Sequence, residues 1–176
     1  MFKKKRRLTP KDDFYYKIAA DVVEWTISIL RDYGNNGDEG LLYWAGAPTY
    51  NNTFVIDMAI APHVTSSRYG FQTNHEDNGN YVECLMDAER IHFAQVHSHP
   101  RTIVDHSWID DTETAFKSQN LLSIVVPSFG EIGMVPLEIC GIHRFNQGKF
   151  FRLSNRYIKE HFEITNSITP FYKDLR

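Results

Sequence analysis

Between Gln95 and Asp111 the chain reads QVHSHPRTIVDHSWIDD, and this stretch limits what the polypeptide can fold into more than any other. The run before the first of these histidines, HFAQV (His92 to Val96), is rich in aromatic and branched side chains, which predicts a buried strand. Alternate side chains of a strand share a face, so His97 and His99 project together, with Cα atoms roughly 6–7 Å apart. Pro100 then forces the chain out of the strand. Ser107 opens a second element, because in S-x-x-D the serine oxygen can accept an N–H of the first helical turn, and Asp110 falls in that turn at the positive end of the helix dipole. A strand end with two imidazoles thus faces a helix start with one carboxylate. Two histidines and a carboxylate leave a tetrahedral zinc one open position, the coordination of a hydrolytic rather than a structural site. Taken singly, H-x-H also fits a solvated strand face and S-x-x-D a plain helix cap. The conjunction, with Asp110 eleven positions past His99 and a proline break between them, is what argues for a metal.

Peptide hydrolysis at such a metal needs a further group to take a proton from water and deliver one to the leaving amine. Glu39 is the only acid that heads an apolar strand (EGLLYWAG), whereas Glu76 and Glu83 read as solvated charges.

A length of 176 residues supports one globular domain with a core of its own. A hydrophobic fraction of 42%, a charged fraction of 23% and a net charge of -3 give no electrostatic reason to expect nucleic acid as a partner. The basic run Lys3 to Arg7 is followed by LTPKDDFYYK where an export signal would need an apolar core, and no apolar run approaches a membrane span. Neither export nor a membrane is expected, and the location expected is cytoplasmic. Cys84 and Cys140, far apart and outside any C-x-x-C spacing, read as reduced core residues. Residues 1–8 are expected to be a basic tail, 9–165 the domain, and 166–176 a C-terminal tail ordered only by docking.

Along the chain, Thr9-Pro10 predicts a helix entry, with apolar residues at Phe14, Ile18, Val22, Val23, Ile27 and Leu30 marking one long amphipathic helix that stops near Gly34; Glu24 within it reads as surface charge. Two strands follow, joined by PTYNN, the second ending at Pro62. Residues 64–80 read as a loop with an extended piece at Arg68 to Phe71, and a helix is expected from about Tyr81 to Arg90 with Val82, Leu85, Met86 and Ala88 on its apolar side. Beyond the histidine motif a helix from Ser107 to about Ser118, a buried strand in LLSIVV, a hairpin of MVPLEICGIHRF with GKFFRLS around Asn146-Gln147-Gly148, and a last short helix near Arg156 to Phe162 complete the pattern. Strands and helices interleave, which predicts an α/β layered domain.

The order His97-Ser98-His99-Pro100, Ser107, Asp110 resembles the signature of the JAMM metalloproteases, the MPN-domain family, in which a distant glutamate precedes H-x-H, ten residues and Asp. Their upstream pattern is E-x-x-G-x-L-x-G. With Glu39 at its first position Gly46 matches its last glycine, while Leu42 replaces the internal one; His106 stands where many members have proline. The resemblance implies a single MPN-like α/β domain with a mixed curved sheet flanked by helices. It implies one zinc per chain held by His97, His99 and Asp110, with Glu39 as general base and then acid and Ser107 as oxyanion donor. It further implies cleavage after the C-terminal glycine of ubiquitin or a ubiquitin-like protein, in precursor maturation or deconjugation, with that protein's tail, its conjugates and the cognate conjugating enzymes as partners. The loop at Arg68, Tyr69, Gly70 and Phe71 is placed to pair with the tail. Trp108 is expected to pack the helix against the domain, with a second reading as a wall of the substrate groove. The compact form is similar to bacterial members encoded beside ubiquitin-like conjugation systems, antiphage ones included. Competing expectations are a metal-free MPN scaffold, a zinc peptidase acting on sulfur-carrier proteins, and an unrelated H-x-H metalloenzyme.

Overall fold

The computed structural model describes residues 9–112 and 114–176; the basic segment 1–8 lies outside the described residues. In chain order, β1 (Tyr15–Ala19) runs into α1 (Ala20–Asn35), followed by β2 (Leu41–Pro48) and β3 (Thr53–Ala61). A small hairpin of β4 (Thr65–Ser67) and β5 (Gly70–Gln72) precedes α2 (His75–Asp87) and β6 (Ile91–Ser98). Then come α3 (Trp108–Thr112), β7 (Leu122–Val126), β8 (Gly141–Asn146), β9 (Lys149–Arg152), α4 (Asn155–His161), β10 (Phe162–Thr165) and β11 (Phe171–Asp174). The main sheet has the order β10-β1-β3-β2-β6-β7-β8-β9, with β11 on the remaining half of β3. It is mixed and curled, flanked by helices, in one domain, as expected.

The histidine strand β6 is central, antiparallel to β2 and parallel to β7. On one face α1 and α4 cover the main core, where Leu42, Trp44, Ala94, Val96, Leu122 and Ile124 meet Val22, Ile27 and Leu30. Trp44 is fully buried and donates its Nε1–H to Thr26 Oγ1 at 2.8 Å, which satisfies both groups inside that core. The other face carries a smaller cluster of Leu41, Tyr43, Met58, Ile60, Tyr81 and Leu85, with α2 against it. The register between β2 and β6 shifts at Trp44/Ala45, so Phe93 is an extra residue. This bulge sends Phe93 and Ala94 both to the main core and leaves His92 and Gln95 on the second face, with His97 in step.

Several sequence expectations are corrected. The first helix begins at Ala20, not at Pro10: Tyr16 and Ile18 alternate inward and pair in parallel with both β3 and β10. Their spacing from Val22 imitates a helical repeat, but aromatic and branched residues between two available strands add to the sheet. Thr9 bonds to Ser154 Oγ rather than capping a helix. The second helix starts at His75, where Asn74 and Asp77 form a reciprocal capping box; its buried residues are Tyr81 and Leu85, while Val82 and Met86 are exposed. The helix after Ser107 ends at Thr112 instead of Ser118, because Thr112, Thr114 and Lys117 side chains bond to its carbonyls. Of MVPLEICGIHRF only Gly141–Asn146 is strand, since Leu137–Ile139 forms a 3-10 turn. The hairpin turn itself is as read, with Gln147 and Gly148 both at positive φ. The segment 166–176 includes β11, which docks in parallel on β3.

Two glycines separate a packing requirement from a propensity defect. A Cβ on Gly46 would lie 1.8 Å from the Val55 carbonyl oxygen, at the bulged crossing of β2 and β3, whereas a Cβ on Gly79, inside α2, meets nothing within 4 Å. Gly46→Ala is expected to destabilise the fold by about 3 kcal/mol. Gly79→Ala is expected to stabilise it by roughly 0.5–1 kcal/mol. Urea midpoints of the two variants check both signs.

Candidate metal centre

His97 sits one residue from the end of β6, opposite Leu41 of β2 and Val125 of β7, and is fully buried. Both neighbouring strands therefore fix its backbone. His99 lies just beyond the strand and is clamped on each side: its N–H donates to the Val126 carbonyl at 2.9 Å, and its own carbonyl accepts the Phe129 N–H at 2.9 Å. Ser128 N–H donates to the Arg101 carbonyl at 3.1 Å. Ser128 and Phe129 make these bonds with φ of 51° each, a left-handed pair of non-glycine residues costing about 1–3 kcal/mol apiece. The His99 ring is oriented by its Nδ1, which lies 2.9 Å from the Ile103 carbonyl. A carbonyl only accepts, so the proton is on Nδ1 and the Nε2 lone pair is free to ligate.

Asp110 enters from α3. Its backbone N–H donates to Ser107 Oγ at 3.2 Å, and its carboxylate accepts the Ser107 N–H at 2.6 Å, the reciprocal cap read from S-x-x-D. The carboxylate oxygens stand 3.3 Å from His97 Nε2 and 3.4 Å from His99 Nε2. One ligand atom from each residue lies within 4.8 Å of the others. Neither ring nitrogen of His97 has a hydrogen-bond partner among the described residues although both are buried. Such a loss costs stability unless something else takes the lone pair, and a cation between the three side chains does so. Burial works against the Asp110 charge, but His97, His99 and His106 together hold its carboxyl far below the usual range, as a cation-binding carboxylate requires. The donor set of two imidazoles and a carboxylate suits zinc with an open fourth position.

Glu39 is 7% exposed, just ahead of β2. The β2–β6 ladder carries it to the metal ligands: beyond Leu41 opposite His97, Ser98 N–H donates to the Gly40 carbonyl at 3.2 Å, and Gly40 N–H donates to Ser98 Oγ at 3.0 Å. Burial pushes the Glu39 carboxyl up to about 7, with His99 opposing and Asp110 adding to the rise. A buried carboxyl with that affinity for protons can both take and return one near neutrality. Glu24, Glu76 and Glu83 are exposed, as read.

The β4–β5 hairpin closes over this group. Its Ser67 carbonyl accepts the Glu39 N–H at 2.9 Å, and Phe71 places its ring centroid 5.5 Å from that of His97. Arg68 and Tyr69 form the turn, Tyr69 is 80% exposed, and Gly70 begins β5 at φ +150°. Trp108 is 73% exposed, so the expected packing of this ring against the domain is corrected: α3 has no buried residue and is held by polar bonds. Sequence reasoning missed Ser98, Gln95 and Ser123 and noted His106 only as a departure from a motif. His106 is buried, and that burial lowers its basicity. The signal was present: Gln95 and Ser123 interrupt two apolar strands and are direct partners across β6 and β7.

No family model matches the chain. It is 29% identical over 125 residues to the probable metalloprotease y4jG of Sinorhizobium fredii (strain NBRC 101917 / NGR234), an alignment that covers 64% of this chain and 70% of that protein. The solution structure of protein DSY2949 from Desulfitobacterium hafniense superposes with a TM-score of 0.63 over 87% of this chain and 94% of that one at 15% identity, a likeness of fold. Among the described residues no helix is long and apolar enough to cross a membrane.

A three-ligand site predicts a single divalent cation per chain. Zinc at a hundredfold excess over its dissociation constant is expected to stabilise the native protein by about 2.7 kcal/mol. His97→Ala and Asp110→Ala are expected to abolish that gain, and Glu39→Gln to keep it. Thermal melts with zinc and with a chelator measure the difference.

Proposed function

We propose that this chain is a zinc-dependent (iso)peptidase of the JAMM type, cleaving after the C-terminal glycine of a ubiquitin-like protein. The observation that carries the reading is the convergence of His97, His99 and Asp110 with a buried, proton-retaining Glu39 at the end of one strand pair. The relative named as a probable metalloprotease supports the protease class. His97, His99 and Asp110 would hold the zinc, which when bound would supply Lewis-acid activation of water and of the scissile carbonyl. Glu39 takes the proton from the attacking water and delivers it to the leaving nitrogen, and its burial keeps competing solvent away from that transfer. Ser107 already accepts the Asp110 N–H through its oxygen, which leaves its hydroxyl proton to donate to the oxyanion as charge develops there.

A Gly-Gly tail is thin enough to lie extended between β5 and α3. In this reading the tail adds as a strand along Gly70–Gln72, Arg68 and Tyr69 meet the body of the substrate, Phe71 walls the floor, and exposed Trp108 closes the opposite side. The partners are then the ubiquitin-like protein, its conjugates and the enzymes that make them.

Cleavage of a ubiquitin-like protein fused through its terminal glycine to a reporter tests the reading. Glu39→Gln is expected to lower kcat by roughly 10²–10⁴-fold with zinc retained. Ser107→Ala is expected to lower it by about 10²–10³-fold. Zinc-loaded wild-type protein that leaves such a fusion intact would overturn the assignment of substrate. Deleting residues 68–71 is expected to raise KM steeply; unchanged cleavage after that deletion rejects the tail-pairing role of the hairpin.

A further inference from the structure

The helix that brings in Asp110 has no hydrophobic anchor. Among the five residues of α3 none is buried, and Trp108 and Ile109 are 73% and 40% exposed. By contrast α1 buries five apolar side chains and Thr26, each apolar one worth roughly 1.5–3 kcal/mol. The capping box ties Asp110 to Ser107, but both belong to the same segment, so it cannot fix that segment relative to the histidines. A connection to the sheet must do so.

That connection runs through His106. Its Nδ1 lies 2.9 Å from Asp111 Oδ1 on α3, and its Nε2 lies 2.9 Å from Ser123 Oγ on β7. The carboxylate only accepts, so Nδ1 donates to it; Ser123 Oγ accepts the Gln95 Nε2–H at 3.0 Å, which leaves its own proton to donate to the imidazole Nε2. Gln95 faces Ser123 across β6 and β7 and precedes His97 by two residues on the same face. It also donates to Thr114 Oγ1 at 3.3 Å, and Thr114 donates to the Asp110 carbonyl. Both routes from the sheet to α3 therefore start beside a metal ligand. The His106 ring is itself held in a slot, stacked on His143 at 3.8 Å between centroids and 26° between planes, with the edge of Phe150 at 4.9 Å. The loop before it is pressed on β8, where a Cβ on Gly141 would come 1.8 Å from the Val104 carbonyl oxygen, and is tied to β9 by Arg152 and Asp105 at 2.6 Å.

We propose that His106 is a positioning residue of the metal centre: bridging Asp111 and Ser123, it sets α3 on the sheet so that the Asp110 carboxylate meets His97 and His99 at ligand distance. This rests on the metal-centre reading above. Groups that orient ligands in this way typically carry 10–100-fold of metal affinity.

Titration of the metal-free protein with cobalt(II), followed by its visible absorption and by zinc competition, tests the proposal without reference to any substrate. Wild-type protein is expected to bind one cobalt with an absorption band of four- or five-coordinate geometry. His106→Ala and Ser123→Ala are expected to bind 10–100-fold more weakly with an altered band. His106→Gln, whose amide reaches one or both partners, is expected to recover part of the affinity. A melt of each metal-free variant shows that it is folded, and Ser123→Ala, which removes one hydroxyl, decides the matter if His106→Ala does not fold. Lowered melting temperature with unchanged cobalt affinity and spectrum means a merely structural role and overturns the proposal. Wild-type protein that takes up neither cobalt nor zinc overturns the metal-centre reading and this proposal with it, whereas binding by the wild type and the variants alike overturns this proposal alone.

Discussion

The pairing of β2 with β6 is the constraint from which the site follows. Leu41 stands opposite His97, and the ladder continues through Gly40 and Ser98, so Glu39 arrives beside the ligands by register rather than by side-chain reach. A slip of one residue would turn Leu41 and His97 to opposite faces and put Gly40 or Asp38 in the place of Glu39 beside the His97, His99 and Asp110 group. The register is protected on the far face, where Leu42 and Trp44 of β2 and Ala94 and Val96 of β6 are fully buried under α1. Displacing such a set costs several kcal/mol, more than the hydrogen bonds at the strand end could restore.

The two faces of the sheet accordingly do different work. The face under α1 and α4 is almost wholly apolar and supplies the stability. The other face carries the smaller apolar cluster under α2 and, beside it, polar side chains that are expensive to bury, among them His92, Gln95, His97 and Ser123. Gln95 and Ser123 bond to one another, whereas His92 Nε2 and both ring nitrogens of His97 are buried without a hydrogen-bond partner among the described residues. His92 bonds to the Tyr81 hydroxyl within a cluster of Tyr43 and Phe116, and that apolar setting keeps its imidazole neutral. Along β6 the environment thus grades from an aromatic cluster at His92, through the Gln95–Ser123 pair, to His97 of the candidate metal centre. The bulge at Phe93 makes this possible, because without it His92 and Gln95 could not share a face.

How much of this was legible in the sequence depended on range. Features whose cause lies within a few residues were read correctly: the strand ending in H-x-H, the Ser107–Asp110 cap, the Asn146-Gln147-Gly148 turn, and the apolar run of β7. An acid heading an apolar strand is likewise a local anomaly, and Glu39 does stand buried just ahead of β2. What was misread had a cause elsewhere in the chain. Tyr15–Ala19 is strand because β10, almost 150 residues later, and β3 offer it two edges, and no local pattern separates that outcome from a helical start. Trp108 is exposed on a short α3 that is linked to β6 and β7 through His106 and Thr114, partners that only the tertiary fold supplies. The polar interruptions at Gln95 and Ser123 were visible, but their meaning required knowing that the two strands are parallel neighbours.

The three residues of the candidate metal centre are held by three kinds of force. His97 is part of the central strand, with a neighbour on each side, and can leave its place only if the sheet opens. His99 is gripped by backbone bonds to Val126 at the end of β7 and from Phe129 in the turn after it, where the left-handed Ser128-Phe129 pair carries strain that the rest of the fold must offset. Asp110 rides on a five-residue helix without a buried apolar side chain, tied down by polar contacts. Local opening begins where apolar burial is least, so α3 is the first part of the centre to detach. Ligand affinity then depends on the least anchored donor, since a site that must recruit its third ligand binds in proportion to the fraction of time that ligand is in place. Burying α3 under more apolar surface would hold Asp110 more firmly, but it would also cover Trp108, the face that the proposed function gives to an incoming extended chain. On the role proposed for His106, a short helix held by a buried imidazole bridge keeps the carboxylate in place while leaving that face open.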